Sequence, residues 1–88
     1  MNAIDLLKTQ YSQESNADWE EVCKHIVSNR EIMDGLPTFK GTRIPVYIIL
    51  DYLAEGYSPE EILKDYPSLN KDTIRAALKF ANLLSSIH

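Results

Sequence analysis

Four of the seven glycines and prolines in this 88-residue chain fall within one eleven-residue stretch, as Gly35, Pro37, Gly41 and Pro45. Proline removes a backbone donor and fixes φ, and glycine favours turns, so no helix can run through this stretch. Thr38, Phe39, Thr42 and Ile44 between these breakers favour extended backbone. The stretch from Ser28 to Ile44 is therefore expected to form two short strands around a turn, with Gly41 the residue most suited to a positive φ. Everything else is arranged on either side of it.

On the C-terminal side the helical signals are dense. Pro45 suits a first helical turn, and Val46, Ile49, Leu50 and Leu53 recur at i, i+3, i+4 and i+7 up to Glu55, with Gly56 as the stop. Ser58-Pro59-Glu60-Glu61 supplies a capping serine, a first-turn proline and a glutamate placed to close a capping box. Ile62, Leu63 and Tyr66 give this second helix a buried side before Pro67. Asn70 caps a third helix running to about Ser86, with Ile74, Ala77, Leu78, Ala81 and Leu84 packed on the first two. That helix carries a further stripe of Ala76, Phe80, Leu83 and Ile87, which needs cover from either an N-terminal helix or a second protomer as a dimer interface.

The N-terminal side is less patterned. Ile4, Leu7 and Tyr11 predict a short amphipathic helix over Ala3 to Gln13. Ser12 to Asp18 reads as a linker, and Lys24 to Val27 as a short strand. The expected fold class is thus mainly α: a three-helix, helix-turn-helix unit preceded by short β-strands and an N-terminal helix. The division is an N-terminal helix and linker over 1–23 and a helix-turn-helix domain over 24–88.

Charge narrows the function classes. Residues 1–35 carry seven acids against three bases, and residues 36–88 six of each, so the net −4 lies wholly in the first part. A nucleic-acid contact could only be local. Within a helix-turn-helix order the last helix can enter a major groove, and Asn70, Lys71, Thr73, Arg75 and Lys79 are residue types that contact phosphates and base edges. Asp72 among them repels phosphate and speaks for an ordinary solvated face. Lys40-Gly41-Thr42-Arg43 forms a basic turn suited to a phosphate or a partner's carboxylates, unless Arg43 pairs with Asp51 or Glu55 on the next helix. The five tyrosines suit core edges or interfaces better than base stacking.

An enzyme is not expected, because no catalytic set can be assembled. Cys23 and His25 lack an orienting third group, and the only other histidine is His88, so neither nucleophilic catalysis nor a structural zinc site is supported. No Gly-rich phosphate loop is present, and no cofactor is expected. Cys23 is alone, the N-terminus lacks the pattern of a signal peptide, and the longest uncharged apolar run, Ile44 to Leu50, is too short to span a membrane. These features lead to the expectation of a cytoplasmic protein without membrane association.

The segment Gly35-Leu-Pro-Thr-Phe-Lys-Gly-Thr-Arg-Ile-Pro-Val46, followed by Leu53-Ala-Glu-Gly-Tyr-Ser-Pro-Glu-Glu-Ile-Leu63, Asp65-Tyr-Pro-Ser-Leu69 and Ile74-Arg-Ala-Ala-Leu78, resembles the bacterial domain of unknown function 433. The resemblance runs from about Lys24 to Ala81. It implies a homeodomain-like helix-turn-helix protein acting as antitoxin in a type II toxin-antitoxin pair, a homodimer that binds operator DNA to repress its own operon and masks the acidic active site of a PIN-like ribonuclease toxin. The Lys40–Arg43 turn would then meet the toxin's carboxylates. Leu36 stands where a lysine is usual, which removes one base from that turn, and residues 1–23 fall outside the resemblance. The alternative is an interaction or dimerisation module with helix-turn-helix shape and no DNA contact.

Overall fold

A computed structural model of the chain describes residues 16–85. In order it contains α1 (Asn16–His25), β1 (Ile26–Val27), a 3₁₀ turn (Met33–Gly35), β2 (Thr38–Phe39), α2 (Val46–Ala54), α3 (Pro59–Asp65) and α4 (Lys71–Ser85). The chain is thus mainly helical with one two-stranded sheet, as expected. The helix anticipated over Ala3–Gln13, and Ile87, lie outside the described residues. None of the described helices is long and apolar enough to cross a membrane.

The first difference from expectation is α1. Asn16 to Asp18, read as linker, and Lys24 and His25, read as strand, all belong to this helix, and only Ile26–Val27 is extended. The reason is visible in the side chains. Trp19, Val22, Cys23 and Ile26 recur at i, i+3, i+4 and i+7, and all but the half-buried Cys23 are fully buried. Asp18 in the first turn and Lys24 and His25 in the last also suit the helix macrodipole. The boundary between residues 23 and 24 therefore falls inside one helix that packs into the same core.

β1 and β2 pair antiparallel, Ile26 opposite Phe39 and Val27 opposite Thr38, and an isolated bridge joins Thr38 to Pro45. Between the strands the chain turns tightly. Asn29 O accepts from the N–H of Ile32 and of Gly35, and the Ser28 hydroxyl donates to Gly35 O. Met33, Asp34 and Gly35 are successively left-handed, with φ of 52°, 55° and 86°. Gly41 also has positive φ, 81°, as its position in the sequence requires.

The helical half follows the sequence closely. α2 ends in a Schellman motif: Tyr57 N–H donates to Tyr52 O, Gly56 N–H to Leu53 O, and Gly56 takes the left-handed conformation at φ 93°. Before α3, Ser58 Oγ accepts from Glu61 N–H at 3.2 Å and Glu61 Oε1 accepts from Ser58 N–H at 3.0 Å, so the capping box is complete. Both carboxylates of that turn titrate below their ordinary value. For Glu61 the Ser58 N–H is the main cause, and for Glu60 a backbone N–H, with Lys71 second.

The core is one cluster built from Trp19, Ile26, Phe39, Ile49, Ile62, Ile74 and Phe80 with their buried neighbours. α1 and α4 form its most extensive contact, with the Trp19 ring edge-on to Phe80 at 6.4 Å between centroids. This arrangement corrects the reading of α4. Ala76, Phe80 and Leu83, named as a dimer interface, are buried by the chain itself, and α1 provides the cover. Leu78 and Leu84, assigned to the packed stripe, are instead exposed. The buried face is one arc centred between the two anticipated stripes.

Candidate functional site

Each of the five polar residues proposed for a nucleic-acid contact has a partner within the fold. Asn70 and Thr73 form a reciprocal cap: Thr73 N–H donates to Asn70 Oδ1 and Asn70 N–H to Thr73 Oγ1, both at 3.0 Å, while the Thr73 hydroxyl donates to Asn70 O at 2.7 Å. Lys71 lies 3.4 Å from Glu60 across the α3–α4 connection, with both side chains well exposed. Arg75 pairs with Glu21 at 3.3 Å, and Lys79 with Asp18 at 2.8 Å and with Glu21 at 3.8 Å. The Lys79 side chain is only 27% exposed, so its ammonium is held rather than displayed. Asp72 adds a further exposed carboxylate to this helix. The acids of α1 thus face the bases of α4, and no run of unpaired positive charge remains along it.

The basic turn is organised in the opposite sense. Its backbone is fixed from several sides: Lys40 N–H donates to His25 O at 2.7 Å, Phe39 N–H to Ile44 O at 3.1 Å, and Thr42 N–H to Phe39 O at 3.0 Å. Thr42 Oγ1 donates to Phe39 O at 2.8 Å and accepts from Ile44 N–H at 3.0 Å, so this hydroxyl serves the turn. Gly41 supplies the left-handed corner, and no other atom crowds it. Lys40 and Arg43 are left exposed on this rigid base. Neither forms an ion pair among the described residues, and the anticipated pairing of Arg43 with Asp51 or Glu55 is not made.

From this turn a strip of surface continues along α2, and sequence reasoning missed it. Eight of the nine residues of α2 are uncharged, yet Tyr47 is 52% exposed and Ile48 half-buried, with Asp51 and then Glu55 beyond them on the same outer face. A shallow depression lined by Ile48, Asp51, Tyr52, Glu55 and Tyr57 lies at its C-terminal end. Tyr52 meets Tyr57 and Tyr66 edge-to-face at 5.0 and 5.8 Å, and its hydroxyl donates to Asp65 Oδ2 at 3.3 Å. Tyr66 foremost, with Asp65 adding to it, raises the Tyr52 hydroxyl above its ordinary pKa of 10.0. The available signal was the composition of Val46–Ala54, which is too apolar all round for a helix covered on one side.

Cys23 and His25 end on α1, with Cys23 half-buried. Among the described residues no three His, Cys, Asp or Glu side chains cluster as metal ligands would.

Comparison with known proteins gives two matches. The family model described as protein of unknown function (DUF433) matches residues 26–81, which take in both strands, the basic turn, α2, α3 and most of α4. The chain is also 35% identical over 79 residues to uncharacterized protein y4eO of Sinorhizobium fredii; the match covers 89% of this chain and 36% of that protein, so the chain spans about a third of its relative. No solved structure matches.

Proposed function

This chain belongs to the DUF433 family of proteins of unknown function, and from that premise we propose that it is an antitoxin-like protein-interaction module whose first contact is the Lys40–Arg43 turn. One observation carries the reading. The bases of α4 are matched by acids of the chain itself, whereas Lys40 and Arg43, on a turn held by five hydrogen bonds, have no such acid among the described residues. A pair of exposed cations on a rigid backbone is suited to carboxylates on another molecule, since little backbone freedom remains to be lost on binding. The acidic, metal-binding active site of a PIN-like ribonuclease is the partner that the family resemblance implies.

The homeodomain-like part of the expectation has the order of elements in its favour: a short α3, a brief connection and a longer α4. Operator binding through α4 has less. A phosphate approaching Arg75 or Lys79 must displace Glu21 or Asp18, and those carboxylates repel it.

The test is co-expression with the product of the neighbouring reading frame, followed by affinity measurement. A complex weakened at least tenfold by Lys40→Glu with Arg43→Glu, and unchanged by Arg75→Ala with Lys79→Ala, is the expected result. Absence of a complex, together with binding to the upstream DNA at a log–log salt slope of about −5 that the Arg75→Ala, Lys79→Ala variant loses, would replace this reading with that of a dimeric DNA reader.

A further inference from the structure

The outer strip of α2 is complementary to itself. Bases stand before its N-terminus, at Lys40 and Arg43, and acids on its last turn and beyond, at Asp51 and Glu55, the reverse of what the helix macrodipole favours. Between them lie the exposed Tyr47 ring and the half-buried Ile48. At the acidic end is the depression formed by Ile48, Asp51, Tyr52, Glu55 and Tyr57. A projecting aromatic ring, a hollow with aromatic walls and opposite charges at the two ends therefore lie along one nine-residue helix. Such a strip satisfies itself when two copies meet antiparallel.

We propose that the occupant of this strip is α2 of a second copy of the chain, related by a two-fold axis over the outer face between Tyr47 and Tyr52. Tyr47 of each copy then fills the depression of the other. Arg43, just before the N-terminus of one α2, then lies beside the C-terminal end of the other, where Glu55 stands. Each helix N-terminus, with its bases, lies beside the acidic C-terminal end of the other, which corrects the unfavourable order of charge in the isolated helix. The contact is isologous and closes at two copies. It uses a face distinct from α4, whose apolar arc α1 already covers.

The inference rests on the reading of the Lys40–Arg43 turn as a protein contact, where a second copy and the neighbouring-frame product compete for Arg43, and sedimentation equilibrium of the full chain from about 1 to about 300 μM tests it. Wild type is expected to be a concentration-dependent dimer. Tyr47→Lys, at an exposed position that leaves the circular dichroism unchanged, gives a monomer. Arg43→Glu and Glu55→Arg each weaken the dimer about tenfold or more, and the two together restore it. A wild-type chain monomeric throughout, or a dimer that Tyr47→Lys and Arg43→Glu leave intact, overturns the proposal. A monomer that nevertheless binds the neighbouring-frame product overturns only the dimer and leaves the interaction reading standing.

Discussion

Arginine and lysine occur here in two settings that differ only in what stands opposite. Arg75 and Lys79 meet Glu21 and Asp18 across a helix pair, while Arg43 and Lys40 meet solvent from a turn. The sequence suggested the reverse, acids for Arg43 at Asp51 or Glu55 and none for Arg75 or Lys79, because the pairing on α4 joins residues more than fifty positions apart. Thr38 presents the same kind of question inside the core. It is buried opposite Val27 in the small sheet, and its hydroxyl has no hydrogen-bond partner among the described residues. A buried hydroxyl without a partner costs about 1–3 kcal/mol relative to its apolar isostere. Thr38→Val is therefore expected to raise the urea midpoint by the equivalent of about 1 kcal/mol, and an unchanged or lowered midpoint would assign the hydroxyl a partner.

At the scale of elements, what was legible depended on whether the signal was local. The Ser58–Glu61 box, Gly56 at the end of α2 and Gly41 in the turn are each set by backbone geometry over four or five residues, and each was readable. α1 was not, although Trp19, Val22, Cys23 and Ile26 keep a helical period. Cys23 was weighed for its chemistry rather than as a small apolar residue, and the reading of Lys24–Val27 as a strand cut Ile26 away from Trp19 and Val22. The exposed strip of α2 was missed for another reason: an apolar pattern says that a helix is covered, not how many of its sides are. The cap also makes a pH prediction. Glu61 has a folded pKa below the ordinary carboxylate value of 4.5, so its contribution is complete above that value and is lost as pH falls through the lower, folded one. Urea midpoints of wild type and Glu61→Gln are expected to differ above pH 5 and to converge in strong acid, and a constant difference would remove the charge of Glu61 from the cap.

For the whole molecule, α1 holds the position of a keystone. It supplies Trp19 and Val22 to the core, covers the apolar arc of α4 and neutralises its bases. Trp19→Ala is expected to cost about 3–5 kcal/mol, which for a domain this small is most of its stability. Thermal melting by circular dichroism should show a chain largely unfolded at 25 °C or with a strongly depressed midpoint; a shift of only a few degrees would mean that α1 is a dispensable addition to the 26–81 region.

The carboxylate of Glu21 lies within ion-pair distance of both Arg75 and Lys79. One side chain therefore restrains two cations, and in the genetic code a glutamate becomes a lysine by a single base change. A lineage carrying that change would free Arg75 and set a second positive charge beside it, while Lys79 stays paired with Asp18 on an otherwise unaltered scaffold. Affinity for polyanions is then one mutational step away from this sequence, and descendants of one ancestor could diverge in what they bind while keeping the same helices and the same core.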